Sequence, residues 1–277
     1  MWDIKNKICL ITGATSGIGM QTAFQLSRLG AQVVITYRDK EKAQETEKWI
    51  ASETGANIKT FFCDLSSFES IRNFVKEFKT SYKQLDVLIN NAGIWGKENK
   101  LSRDGIELIF ATNHLAPFLL TNLLLDIMGK NDLARIVNVS SGSHKSAIIN
   151  FDDIELKKQF NGYKAYGQSK LANILFTKLL SEKLSQSNVT VNCLHPGVVS
   201  TDIFNQLGKI AVGILKPFML TPEKGARTSV YLATSDEVSH ITGSYFSRKK
   251  VVNSSLISND MEIAHKLWDL SMKYVEM

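Results

Sequence analysis

The stretch Ile8-Cys9-Leu10-Ile11-Thr12-Gly13-Ala14-Thr15-Ser16-Gly17-Ile18-Gly19 decides the fold. Its first four residues are continuously apolar, as a strand covered on both faces requires. They run straight into a glycine-rich turn, after which an amphipathic helical pattern begins near residue 18. Glycines at such a turn let the backbone bend tightly and approach a pyrophosphate, whose charge a helix N-terminus favours. The spacing is G-x-x-x-G-x-G. Glycines also serve ordinary turns, but the position between a first strand and a first helix marks a dinucleotide site.

Outward from this turn, short β-branched runs alternate with helical patterns to the end of the chain. The runs are 8–11, 32–36, 58–63, 87–90, 135–140, 189–194 and 244–246; the helical patterns lie near 18–29, 40–53, 67–80, 103–128, 164–186, 222–235 and 260–274. This rhythm predicts an α/β, doubly wound parallel sheet of about seven strands with helices on both faces. It uses almost all 277 residues, so 1–277 reads as one domain. Two segments break the rhythm: the connection 143–162 and the apolar stretch 202–220. Both follow strand ends, where ligands of open α/β sheets bind.

Composition narrows the classes. A 44% hydrophobic content supplies a core, and 22% charged residues with four prolines argue against disorder. The net charge of +6 is spread along the chain, with Arg248-Lys249-Lys250 its one tight cluster, which argues against a nucleic-acid site. Cys9, Cys63 and Cys193 lack any C-x-x-C spacing and read as buried thiols in a reducing compartment. The five histidines show no metal-ligand spacing, so no metal is expected. The polar start, Met1 to Lys7, reads as neither signal peptide nor anchor. The apolar stretch from Leu115 to Met128 is interrupted by Pro117, Asn122 and Asp126 and is too short to span a bilayer. A cytoplasmic protein is the expectation.

The end of the second strand bears on the cofactor. An acid there favours NAD, and an arginine favours the 2′-phosphate of NADP. The sequence is Thr36-Tyr37-Arg38-Asp39. Arg38 offers a planar, permanently charged fork to a phosphate, so NADP(H) is favoured over NAD(H). The competing readings are a surface arginine opening the next helix, and Asp39 as a ribose ligand or an N-cap.

Tyr166-Gly167-Gln168-Ser169-Lys170 opens another helical pattern. Residues four apart share a helix face, so Tyr166 and Lys170 point at one site. A nearby cation lowers a phenol's pKa and suits it to acid/base work on an alcohol or carbonyl. Such a pair is also common on solvated helices.

Taken together, these motifs resemble the short-chain dehydrogenase/reductase family over essentially the whole chain. They are 12–19, Asp64-Leu65, Asn90-Asn91-Ala92-Gly93, Asn113, Ser140-Ser141, Tyr166 with Lys170, and Pro196-Gly197 with Thr201. The resemblance is strongest to the retinol dehydrogenase-like group. It rests on Asn113-His114-Leu115-Ala116-Pro117-Phe118-Leu119-Leu120-Thr121, on Arg135 to Ser141 and Ser169 to Phe176, and on Leu194 to Thr201 and Thr221 to Ala226. It implies a Rossmann-like domain and a catalytic set of Tyr166, Lys170, Ser141 and Asn113. Tyr166 would move the proton, Lys170 would lower its pKa and hold the nicotinamide ribose, Ser141 would hold the substrate oxygen, and Asn113 would position a relay water. It implies cofactor contacts at Gly13, Thr15, Ser16, Gly17, Ile18, Gly19, Arg38, Asp64, Leu65, Asn91, Ala92, Gly93, Pro196, Gly197, Val199 and Thr201, besides Tyr166 and Lys170. Taken singly, Asp64 also reads as a helix cap, Asn90-Asn91 as a turn and Pro196-Gly197 as a strand end. His114 and His195 read as structural.

The implied function is an NADP(H)-preferring oxidoreductase moving a hydride between nicotinamide and a hydrophobic carbonyl or alcohol. Its substrate would be retinal/retinol-like, an aldehyde or a ketone. The alternatives are an NAD-dependent alcohol dehydrogenase of the same fold, or a non-catalytic NADP-binding regulator or scaffold. Residues 202–220 read as a substrate lid, as an amphipathic helix over core, or, with Lys209 and Lys216, as a surface touching membrane. Leu115, Leu119, Leu123 and Ile127 form one helical stripe and Leu171, Leu175 and Leu179 another, both read as core. In the family the corresponding helices often also meet in a homo-oligomer.

Overall fold

The computed structural model describes residues 1–130, 132–199 and 219–277. β1 (Ile8–Ile11), β2 (Gln32–Tyr37) and β3 (Lys59–Phe62) build one side of the sheet. β4 (Val87–Asn90), β5 (Ala134–Val139), β6 (Val189–His195) and β7 (Tyr245–Ser247) build the other, and β8 (Lys250–Val251) closes the edge. The order is β3-β2-β1-β4-β5-β6-β7-β8, parallel except for β7 with β8. Leu10 of β1 lies in register between Val34 and Leu88. The chain leaves β1 toward one edge and comes back to β4 on β1's other side. That reversal opens a crevice at the C-terminal ends of β1 and β4.

Alternation along the strands feeds two cores. Leu10, Val34, Leu88, Ile136 and Val191 enter one, with Phe74, Phe118, Leu175 and Leu267 from helices. Cys9, Ile11, Val33, Ile35, Ile89 and Val137 enter the other, with Ala23, Leu26, Ile50 and Leu232. The helices are α1 (Gly17–Arg28), α2 (Lys40–Thr54), α3 (Phe68–Ser81), α4 (Leu108–Phe110), α5 (Ala116–Leu124), α6 (Gly162–Lys183), α7 (Pro222–Thr234) and α8 (Met261–Tyr274). Asp39, Ser67, Asn161, Thr221 and Asp260 cap α2, α3, α6, α7 and α8, each accepting from an N–H of the first turn. The leucines of both predicted stripes lie in the core or against it.

Three expectations need correction. The sheet has eight strands where about seven were expected. Arg248 and Lys249 turn the chain with φ of 51° and 65°, and the short, exposed, charged β8 has no apolar signature. The predicted helix at 103–128 starts at Leu108, because Glu107 folds its carboxylate onto the N–H groups of Ile109 and Phe110 (2.7 Å each) and ends the preceding turn there. The apolar stretch is therefore longer than expected. Leu108–Ile127 makes a continuous helical run of 20 residues, long and apolar enough to cross a membrane by length and composition, yet 78% of its apolar window is buried within the fold. It packs as a core helix between the sheet and its neighbours. Within it, Ala111–Leu115 forms a π turn between α4 and α5.

Arg135 of β5 is 2% exposed. Its guanidinium donates to the Leu232 and Ser235 carbonyls (2.9 and 2.8 Å) and to Ser239 Oγ (2.8 Å), tying down the end of α7. Trp2 lies 4.1 Å from it, ring centroid to guanidinium carbon, and donates from Nε1 to the Ala233 carbonyl at 2.8 Å. A lysine keeps the charge but cannot reproduce this fork. Arg135→Lys is expected to lower stability by about 2 kcal/mol, read as a lower urea midpoint at unchanged slope. An unchanged midpoint would show that the fork is dispensable.

Candidate active site

The crevice at the β1–β4 reversal is a groove of about 1070 Å³. Thr12 Oγ1 accepts from the N–H groups of Asn91 and Ala92 (3.1 Å each), while Asn91 Nδ2 donates to the carbonyls of Thr12 and Gly13 (2.9 and 3.0 Å). Packing here leaves no room for side chains. A Cβ on Gly13, whose φ is 63°, would come within 2.8 Å of Ala92 Cα, and one on Gly19 would collide with the Gly13 carbonyl. Ser16 makes no side-chain cap on α1, and the first turn carries no acid. The N-terminus of α1 thus keeps uncapped N–H donors toward the groove, the arrangement that holds an anion such as a pyrophosphate.

The groove brings together Gly13, Thr15, Ser16, Gly17, Ile18, Gly19, Arg38, Asp64, Leu65, Asn91, Ala92 and Gly93, all expected from the sequence. It also recruits residues not foreseen, among them Tyr37, Lys42, Ile94, Trp95, Thr112 and Pro222. Lys42 was legible in principle, because it stands four residues after Arg38 at the start of α2. Asp39 Oδ1 accepts from the N–H groups of Glu41 and Lys42 (3.1 and 3.2 Å), so this carboxylate caps α2. Asp64 closes its own turn, accepting from Ser66 N and Oγ (3.0 and 2.7 Å).

At the end of β6, Gly197 has φ 96°, and a Cβ there would press within 2.6 Å of Leu220. Val199 bridges Leu220 and lies under α7: a Cβ on Gly225 would meet Val199 Cγ2 at 2.7 Å and Ile18 at 3.1 Å. Pro196, Gly197 and Val199 are therefore tied to the glycine turn through Gly225 of α7. Thr201 and residues 202–218 of the expected lid lie outside the described residues.

None of the expected catalytic residues lines the groove itself; Lys170 and Asn113 stand behind its wall at Gly93. Tyr166 and Lys170 lie one turn apart on α6, with Lys170 Nζ 5.5 Å from the Tyr166 ring centroid. Lys170 is 3% exposed and donates to the Val139 carbonyl at 3.0 Å. Ser140 is buried and its hydroxyl donates to the Lys170 carbonyl (2.7 Å), which leaves Ser141 as the serine facing Tyr166. Asn113 sits in the π turn, a feature frequent at functional sites. Its side chain accepts from Ile94 N (2.8 Å) and donates to Ile94 O and Ser169 Oγ (2.9 and 3.0 Å). It thus fixes the loop after β4. The two halves meet at Gly93, where a Cβ would stand 3.1 Å from Lys170 Nζ and 3.6 Å from Asn113 Oδ1.

A family model described as short chain dehydrogenase matches residues 7–210. The chain belongs to the short-chain dehydrogenase family. It is 42% identical to human retinol dehydrogenase 14 over 96% of this chain and 85% of that protein. A crystal structure from Mycobacterium paratuberculosis superposes with a TM-score of 0.83 at 31% identity, covering 100% of this chain and 96% of the other. A short chain dehydrogenase from Shigella flexneri, solved in complex with NADP, does so with a TM-score of 0.73 at 25% identity, covering 90% and 100%. This short-chain dehydrogenase is accordingly an oxidoreductase of a nicotinamide-binding family acting on CH–OH groups, similar to the retinol dehydrogenases.

Electrostatics at its inner end differ from the simple expectation for a tyrosine–lysine pair. Burial pushes the Tyr166 phenol up, and a hydrogen bond with Ser141 pulls it back in part. Burial also lowers Lys170 to about 8, so the cation is itself weakened by the dry surroundings that would amplify its field. The neighbouring histidines are held neutral by burial: His114 and His195 are lowered to about 4 and His144 is lowered too. In the unfolded chain these imidazoles protonate near pH 6.5. Between about 6.5 and 4 the unfolded state therefore binds more protons, and their contribution to stability is complete above that window and is lost as pH falls through it. The urea midpoint of this short-chain dehydrogenase is expected to hold level from pH 8 to 7 and drop steadily below 6.5, with a shallower drop in His114→Asn. A level midpoint down to pH 4.5 would contradict this.

Proposed function

We propose that this protein is an NADP(H)-preferring oxidoreductase that interconverts a hydrophobic alcohol and its carbonyl compound. The observation carrying the cofactor preference is at the end of β2. Arg38 and Lys42 line the groove there, whereas Asp39, which lines it between them, is engaged in capping α2. Two cations suit a 2′-phosphate, and a capping carboxylate is poorly placed to accept from a ribose hydroxyl. The Shigella flexneri relative's complex with NADP supports the same choice.

The glycine turn and the open N-terminus of α1 would hold the pyrophosphate, and Asp64 and Leu65 would flank the adenine. Lys170 would bind the nicotinamide ribose, with Pro196, Gly197, Val199 and Thr201 near the nicotinamide end. When bound, the cofactor supplies or accepts the hydride. On the protein side, Ser141 Oγ donates to the substrate oxygen and stabilises charge developing on it. Tyr166 Oη gives or takes the proton on that oxygen. Lys170 favours the phenolate electrostatically, and Asn113 holds the Gly93–Ile94 backbone beside it. The apolar side chains Ile94, Trp95 and Ile109 near this end, together with the retinol named for the human relative, support an apolar substrate. The cellular NADPH pool favours reduction, so the enzyme works in vivo as a carbonyl reductase of the cytoplasm.

Tyr166→Phe is expected to lower kcat about 10²–10⁴-fold while leaving the NADPH dissociation constant unchanged, read by nucleotide fluorescence. Retention of most of kcat would remove Tyr166 from the proton-transfer role. Arg38→Asp is expected to weaken NADPH about tenfold or more relative to NADH. Equal losses for the two nucleotides would mean that the end of β2 does not recognise the 2′-phosphate.

A further inference from the structure

Ser141 stands at the head of a short 3-10 turn, Gly142–Ser146, directly after β5. The peptide unit joining it to Gly142 is held at both polar ends by imidazoles from different parts of the chain. His144, in the same turn, donates from Nδ1 to the Ser141 carbonyl at 2.7 Å. His195, the last residue of β6, accepts the Gly142 N–H on Nδ1 at 3.2 Å. The other contacts settle the tautomers. His144 Nε2 accepts from Ser255 N at 3.2 Å, so its proton lies on Nδ1. His195 needs a bare Nδ1, so its proton lies on Nε2. A Cβ on Gly142 would be 3.5 Å from His195 Nε2, so this ring lies directly against the Gly142 backbone. His144 is fully buried, edge-on to Tyr245 with centroids 4.9 Å apart.

We propose that His195 and His144 are positioning residues that clamp the Ser141–Gly142 peptide and thereby aim the Ser141 hydroxyl at Tyr166 and the substrate oxygen. The proposal rests on the reading of Ser141 and Tyr166 as the pair that meets that oxygen. The clamp matters because Ser141 has a local alternative. Its Oγ accepts from Ser143 N and lies within reach of Ser143 Oγ, both at 3.2 Å, so its proton can be drawn to Ser143 within its own turn. Serine hydroxyls readily turn inward to nearby backbone in this way. A hydroxyl has one proton, so every tilt of the peptide that improves the Ser143 contact withdraws that proton from Tyr166. With both ends of the peptide fixed from β6 and from the buried His144, the turn cannot tilt.

Both imidazoles have to stay neutral for this. A proton on His195 Nδ1 would oppose the Gly142 N–H, and one on His144 Nε2 would oppose Ser255 N–H. Burial keeps His195 neutral, assisted by the cations Lys145 and Arg248, which face it from the β5 turn and the β7–β8 turn.

The test needs no substrate. With 13Cζ-labelled tyrosine, the NMR signal of Tyr166, identified by its loss in Tyr166→Phe, reports at neutral pH the hydrogen bond its oxygen makes. His195→Leu fills the ring's space without an acceptor and is expected to move that signal to its position in Ser141→Ala. His195→Asn, whose Oδ1 can take the Gly142 N–H, is expected to return it toward wild type. In the double variant with Ser141→Ala, His195→Leu should add nothing, because it acts only through Ser141. His144→Phe, which keeps the edge contact with Tyr245 but has no donor, runs the same cycle if His195→Leu does not fold. A wild-type signal in His195→Leu, or an equal further shift in the double variant, overturns the clamp and leaves the catalytic reading standing. No shift in Ser141→Ala itself overturns the Ser141–Tyr166 pair, and the clamp with it. Where turnover is followed with NADPH and retinal, kcat of His195→Leu should fall about tenfold at unchanged NADPH affinity.

Discussion

The crossing of two loops at the reversal of the sheet is the constraint on which the rest depends. The loops after β1 and β4 are cross-linked by four hydrogen bonds between Thr12–Gly13 and Asn91–Ala92. Because Gly13 and Gly19 carry no side chains, the glycine turn packs directly on the Asn91–Ala92 backbone. This fixes where the N-terminus of α1 points, and so where an anion can sit. It also fixes Gly93, the residue at which the groove touches Lys170 and Asn113. A register error at this crossing would displace both ends of the site together.

The inner end is secured from the opposite side of the sheet. Asn90 Nδ2 donates to Asn138 Oδ1 and Thr121 Oγ1 (2.8 and 2.9 Å), and Asn138 Nδ2 donates to Thr177 Oγ1 (2.9 Å), so a buried polar ladder runs from β4 through β5 to α6. Two further links run from α8 to the helical run that carries Asn113. Ser271 meets His114 Nε2 at 2.9 Å, beside Asn173, whose Nδ2 donates to the Asn113 carbonyl (2.9 Å). Tyr274 donates to Glu155 (3.0 Å), whose other oxygen accepts from Glu107 N (3.0 Å) at the start of α4. Such buried networks, complete here except at Asn90 Oδ1, favour one arrangement of the helices that carry Asn113, Tyr166 and Lys170.

Much of this was legible because it depends on local patterns. Apolar runs of strand length, the glycine turn and the tyrosine–lysine spacing each follow from periodicity or from the room a backbone needs. What was not legible depends on contacts between distant segments. β8 is two exposed residues beyond a pair of left-handed cations, with no apolar pattern to reveal it. The true start of the helix carrying Asn113 is set by Glu107, whose capping role shows only once its carboxylate is seen to turn inward. His195 and Gly142 are 53 residues apart, and nothing in either local sequence says that one will accept from the other. Burial at Tyr166 is likewise not local: i, i+4 spacing brings Lys170 near, but cannot say that desolvation raises the phenol and lowers the ammonium.

The site's charge distribution also has a direction. At the end of β2 the groove carries Arg38 and Lys42, with Asp39 between them capping α2. At its inner end burial has removed charge: His114, His144 and His195 are neutral, and Lys170 holds its proton only to about 8. On the proposed function, a long ligand with anionic groups at one end and a neutral, polarisable reacting group at the other would be favoured in one orientation. Reversing it would put phosphates among buried groups that cannot solvate them. On that reading, the same burial that raises Tyr166 and lowers Lys170 would favour one direction of binding. On the proposed function, the reacting carbon would lie where the partly exposed hydroxyl of Ser141 and phenol of Tyr166 can both meet the substrate oxygen.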